Sequence, residues 1–243
     1  MIFQLRLAGV CIRVTSLYEQ VCDYCRNYLD PVSQPNFSID IRSVDIEQEA
    51  LANHEAVPTD PERLAYLETL AVYRKIAEAL LDRDILLMHG SVIATGQSAV
   101  MFTAPSGTGK TTHTRLWLDR VPGCYVVNGD KPLLHIGETI TAFGTPWSGK
   151  ENMNRNCSAQ LKAICLLERG EINHIERVSF IQIWQQIMKQ IYLPRDPARL
   201  EQTMHLMDRL CRQMPFYRLR CNMEPDSAAA AWKELQPILT INA

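Results

Sequence analysis

The sequence predicts a mixed α/β protein in which a small β-containing lobe precedes a larger core of alternating strands and helices. Three observations lead there: period-two apolar runs near the N-terminus, strand-like and helix-like segments that alternate through the rest, and a glycine-rich run placed between an apolar strand and a helix. The 243 residues are 47% hydrophobic and 21% charged, which suffices for a sizeable buried core. We set the lobe at residues 1–59 and the core at 60–243.

Residues 3–15 alternate well enough for a strand, a helical stretch covers 17–29, and "FSIDIRSV" supplies a second strand. Residues 48–59 are polar and read as a loop. Asp60 and Pro61 then form an N-cap and a first-turn proline, and Leu64, Leu67, Ala71, Val72, Ile76 and Leu80 recur at helical spacing, so a helix spans about 61–82. Short strands follow through "ILLMHGSVIATGQSAVMFTAPSG", with a helix from Lys110 to about Arg120 and a buried strand "CYVVNGD" ending in an acid. "LLHIGETITAFG" reads as a hairpin and "LKAICLLERGEINHIERV" as a second hairpin-like pair. Two helices separated by Pro194 and Pro197, a strand "FYRLRCN" and a helix "DSAAAAWKEL" close the chain.

Net charge of -2 gives no electrostatic reason to expect nucleic acid. The N-terminus has Arg6 and Arg13 within its apolar residues, and no segment reaches the roughly 18 uncharged apolar residues of a membrane span, so a cytoplasmic protein without a membrane partner is expected. Eight cysteines in that compartment are free thiols. Cys22 and Cys25 have the spacing of a metal or redox pair, but no second pair exists and they lie in a helical stretch, so they read as packing residues.

The segment "APSGTGKTT" carries the chemistry. Ala104 to Thr111 fits a phosphate-binding loop with alanine in place of the first glycine. Gly107 and Gly109 allow the backbone to turn its N–H groups around phosphate oxygens, with Ser106, Thr108 and Thr112 in the same cradle. Lys110 supplies charge for the terminal phosphates, Thr111 a hydroxyl for Mg2+, and the helix beginning at Lys110 its positive end. Nucleotide binding, with ATP and Mg2+ as ligands, is the leading expectation.

The order "HGS", strand, "SGTGKTT", helix, "VVNGD" resembles the HPr kinase and ATP-dependent phosphoenolpyruvate carboxykinase superfamily, in particular its small kinases of serine or threonine hydroxyls. The resemblance covers about 85–168, "PFYRLRCNMEPDSAAAAWKEL" looks like the C-terminal strand and helix of those kinases, and the first 60 residues resemble nothing in the family. It implies a P-loop core of that type, a mixed sheet with flanking helices. By position it implies His89 beside the active site, Lys110 and Thr111 at phosphate and magnesium, and Asp130 as a catalytic and metal-side acid. The family has two adjacent acids there, whereas this chain reads Asn128, Gly129, Asp130, Lys131: either Gly129 replaces the first or Lys131 the second. His89 is a partial substitute base, or else a hydrogen-bonded strand-end histidine.

The loop "GTPWSGKENMN", 144–154, reads as substrate-facing: Trp147 to cover a base or side chain, Lys150 to pair with phosphate, Asn152 to position a polar group. Its plainer reading is a surface loop with a half-buried tryptophan. His113, His135, His174 and His205 lack partners at ligand spacing and read as surface or packing residues. The expected function is therefore MgATP-dependent transfer of the γ-phosphate to a peptide or protein hydroxyl. The alternatives are a kinase of a free small-molecule hydroxyl, a nucleotide-binding module with weak or lost catalysis and, third, a carboxykinase. Homo-oligomerisation is left open.

Overall fold

The structure is a computed structural model that describes residues 1–240. The chain forms two compact units, Met1–Asp82 and the remainder from Arg83.

In the first unit the single strand expected at 3–15 is a hairpin, β1 (Ile2–Leu7) and β2 (Val10–Thr15), because Ala8 and Gly9 turn the chain at φ of 49° and 79°. The strand β3 (Phe37–Asp40) joins β2 in parallel. The helix expected at 17–29 shrinks to α1 (Gln20–Tyr24) and a 3₁₀ turn, since the Leu17 and Tyr18 amides donate to the Glu68 carboxylate at 2.6 and 2.8 Å instead of entering a helix. The expected loop 48–59 is corrected over its first five residues and holds over 53–59. Residues 43–52 form the helix α2 (Ser43–Ala52), whose polar side chains pair with the next helix, α3 (Pro61–Leu80): Lys75 with Asp45 at 2.7 Å and Arg74 with Glu49 at 2.6 Å. That pairing, with the burial of Leu67, Ala71, Val72 and Ile76, keeps α3 in the first unit and moves the division from 59/60 to 82/83. Asp60 caps α3 as expected, accepting from the Glu62 and Arg63 amides.

Glu68 has no exposed surface, and both its oxygens are spent on those two amides. Replacing it by alanine strands two donors, so Glu68→Ala is expected to lower the stability of the first unit by about 2–4 kcal/mol, read as an earlier urea midpoint.

The second unit is built on a curled mixed sheet. Its strands are β4 (Ile85–Leu87), β5 (Ser91–Thr95), β6 (Ser98–Thr103), β7 (Cys124–Asn128), β8 (Leu133–Ile136), β9 (Ile140–Phe143), β10 (Ser158–Arg169), β11 (His174–Val178) and β12 (Phe216–Cys221). The order is β4-β8-β9-β10-β6-β5-β7, with β12 beside β10 and β11 beyond it. The strand β10 serves three neighbours: β9 at its start, β12 from Ile164 onward, and β6 along the opposite edge. The expected hairpin over 161–178 is thus corrected, because β12 lies between β10 and β11. Curling brings the end of β7 to the segment before β10, where Arg155 donates to the Val127 carbonyl at 3.1 Å and Gly129 to the Met153 carbonyl at 2.8 Å.

Helices α4 (Lys110–Arg120) and α7 (Asp226–Leu239) pack together over Phe102, Cys165 and Leu219, while α5 (Phe180–Met188) and α6 (Pro197–Gln213) follow β11. Trp117 is fully buried in that core and donates Nε1–H to His113 Nε2 at 3.0 Å. Burial pushes the His113 imidazole down to about 4 and keeps it neutral. All eight cysteines are free; Cys25 is fully buried with its thiol pushed well up, which fits packing. Among the described residues no helix is long and apolar enough to cross a membrane.

Candidate functional site

The strand β6 runs straight into Ala104–Gly109, and α4 starts at Lys110. Gly107 and Gly109 stand at φ of 77° and 122°, a region that side-chain-bearing residues rarely adopt, so glycine is required at both. The loop is braced from within by the Thr108 amide, which donates to the Pro105 carbonyl at 3.3 Å. A residue not anticipated from the sequence braces it from outside: Arg169, at the end of β10, donates to the Gly107 carbonyl at 2.6 Å and to that of Thr108 at 3.4 Å. Lys110 is only 8% exposed and donates Nζ–H to the Ala104 carbonyl at 2.8 Å. Burial pushes its ammonium down, and the Asp130 charge pushes it partly back. Ser106 and Thr111 are exposed, and Thr112 is half-buried.

Three backbone and side-chain ties bring His89 and Asp130 to the same end of the sheet. Thr103, the last residue of β6, donates to the His89 carbonyl at 2.7 Å, and Gly90 donates to the Asp130 carbonyl at 2.7 Å. His89 Nε2 then lies 3.0 Å from Asp130 Oδ1. Burial works to raise the Asp130 carboxyl, but the His89 hydrogen bond and the charges of His89, Lys131 and Lys110 outweigh it, so it lies below the usual carboxylate range. The other ring nitrogen, Nδ1, is 2.8 Å from Gln190 Oε1, a partner 101 positions away in sequence.

The turn 128–131 explains itself structurally. Asn128 is fully buried; its Oδ1 accepts from the Asp130 and Lys131 amides at 2.9 and 2.7 Å, and its Nδ2 donates to the Thr145 carbonyl at 3.0 Å. The asparagine is therefore a brace that aims Asp130. At Gly129 a Cβ would meet Met153 Cβ and O at 3.2 Å and the Ser148 carbonyl at 3.3 Å. A carboxylate there would also face two carbonyl oxygens. Gly129→Asp is expected to cost about 1–3 kcal/mol in stability and to leave any transfer rate unraised. A thermal melt beside a rate measurement checks both, and a faster, equally stable variant contradicts the geometry. Of the two positions for the second acid, Gly129 is thus the crowded one.

The loop 144–154 divides. Trp147 is 2% exposed, which corrects the expectation that it covers a base or substrate, because almost none of its surface is open to one. Lys150 and Asn152 are exposed, with Asn152 at φ of 50°. The loop does approach Asp130, since a Cβ on Gly149 would lie 3.3 Å from Asp130 Cβ. Among the described residues no group of three or more His, Cys, Asp or Glu gathers in the manner of a metal site. Magnesium asks for less, one or two protein oxygens beside phosphates and water, and the anionic Asp130 carboxylate and the Thr111 hydroxyl are hard donors of that type.

No family model matches the chain, and no curated protein matches it. Among solved structures it is similar to the HPr(Ser) kinase/phosphatase from Coxiella burnetii, at 8% identity and a TM-score of 0.36, over 62% of this chain and 97% of that one. A likeness so faint decides nothing about activity.

Proposed function

We propose that the protein is a magnesium-dependent phosphotransferase that moves the γ-phosphate of ATP to a serine- or threonine-type hydroxyl of a peptide or protein. The observation that carries this reading is the Asp130–His89 pair at 3.0 Å, coupled by charge to the lysine of a glycine-bent loop between a strand and a helix. Backbone N–H groups of 106–111 and the Lys110 ammonium hold the phosphates. Asp130 and Thr111 would hold magnesium, which would neutralise charge on the phosphates. The acceptor oxygen attacks the γ-phosphorus, the bond from phosphorus to the β–γ bridging oxygen breaks, ADP leaves, and the hydroxyl proton passes to Asp130. His89 orients that carboxylate through Nε2.

A second reading rests on the turn 128–131, which has one carboxylate and a brace: a nucleotide-binding module in which transfer is weak or lost. Incubation with γ-labelled MgATP and a peptide and protein pool separates the two. Label in peptide or protein supports the kinase, label in small molecules moves the acceptor class, and saturable ATP binding without transfer selects the module.

A further inference from the structure

The histidine of the pair is held by more than its own strand. The chain leaving α5 returns beside the end of β4, where Tyr192 donates to the Leu87 carbonyl at 3.2 Å and Met88 bridges Ile191. Gln190, at the centre of this return, grips His89 twice: its backbone carbonyl accepts from the His89 amide at 2.6 Å, and its Oε1 lies 2.8 Å from Nδ1. Gln190 is 5% exposed, so water does not readily replace either contact. An amide oxygen has lone pairs and no proton, so this contact is a hydrogen bond only when Nδ1 carries the hydrogen. The ring is then fixed both in rotation and in which nitrogen faces the carboxylate.

We propose that Gln190 is a positioning residue of the transfer site: its side-chain oxygen accepts from His89 Nδ1–H and thereby turns Nε2–H onto Asp130 Oδ1, both ring nitrogens donating. This rests on the reading of Asp130 and His89 as the transfer pair. It also assigns a role to the segment between α5 and α6, which has no glycine-rich or acidic signature and touches neither the phosphate loop nor the 128–131 turn in sequence. The logic is that of outer-shell partners that orient a ligating or catalytic histidine, whose loss typically costs about 10- to 100-fold in activity.

The test compares Gln190→Leu, Gln190→Asn and Gln190→Glu in the full chain. Leucine removes the acceptor, asparagine keeps the amide but falls one methylene short, and glutamate keeps an acceptor in place. The first readout needs no activity: in nitrogen-15 histidine spectra of the nucleotide-free protein, with His89→Asn as the assignment control, wild type and Gln190→Glu show a slowly exchanging Nδ1 proton on His89. The leucine and asparagine variants lose it. The second readout is label transfer, where leucine lowers kcat by about 10- to 100-fold with the KM for ATP unchanged, and glutamate restores most of it. A leucine variant that keeps the Nδ1 proton, or a glutamate variant that behaves like leucine, overturns the proposal. If wild type transfers no label, the kinase reading fails, and the spectra still decide the positioning role alone.

Discussion

Replacing Asp130 by asparagine is expected to cut phosphate transfer by about 10² to 10⁴, the usual size of a lost general base, while changing ATP affinity by less than about tenfold, since magnesium is held mostly by phosphate and water. The substitution keeps the shape and removes the charge. The turn survives it, because Asn128 braces positions 130 and 131 through their amides and the Asp130 carbonyl still accepts from Gly90. What goes is the acceptor for the hydroxyl proton and the anionic partner of His89. Parallel kcat and ATP-affinity measurements check this; an unchanged kcat removes Asp130 from the chemistry.

Replacing Lys110 by alanine is the second large effect. The side chain is folded onto the carbonyls of its own loop, 2.8 Å from Ala104 O and 3.4 Å from Pro105 O, so the charge is held in place before any nucleotide arrives. Its loss is expected to lower transfer by about 10² to 10³, as for one preorganised donor at a developing charge, and to weaken ATP binding. The direction of the lysine's shift adds a pH prediction. Burial lowers its affinity for a proton, so the free protein loses the charge at a pH below the ordinary lysine range. Phosphates favour the protonated form, so binding takes up a proton there, and ATP affinity falls as pH rises through that range.

How much of this was legible in the sequence depends on the distance over which each feature is determined. The phosphate loop and its helix could be read because strand, glycines and lysine are contiguous and their geometry is local. Helix α3 and its cap were legible for the same reason. Failures came where a distant partner decides. Glu49 looked like loop until Arg74 supplied its partner charge, and Leu17 looked helical until Glu68 took its amide. The pair β10 and β11 looked like a hairpin because the strand that separates them lies some 40 residues downstream. At the site, His89 stood out only through a resemblance, Asp130 as the acid that ends an apolar strand, Trp147 read as substrate-facing or half-buried, and Gln190 and Arg169 carried no signal at all. A glutamine or arginine that acts through one hydrogen bond leaves no periodicity behind it.

The central claim is that residues 104–111 hold the phosphates of a nucleotide, and a calorimetric titration of MgATP into wild type and Lys110→Ala, each with its fold verified by circular dichroism, tests it most directly. The account predicts one saturable site in wild type and a loss of about 100-fold or more in affinity in the variant, on the scale of a buried charge-assisted contact. Equal affinity in the two proteins, or no binding by wild type, would contradict it.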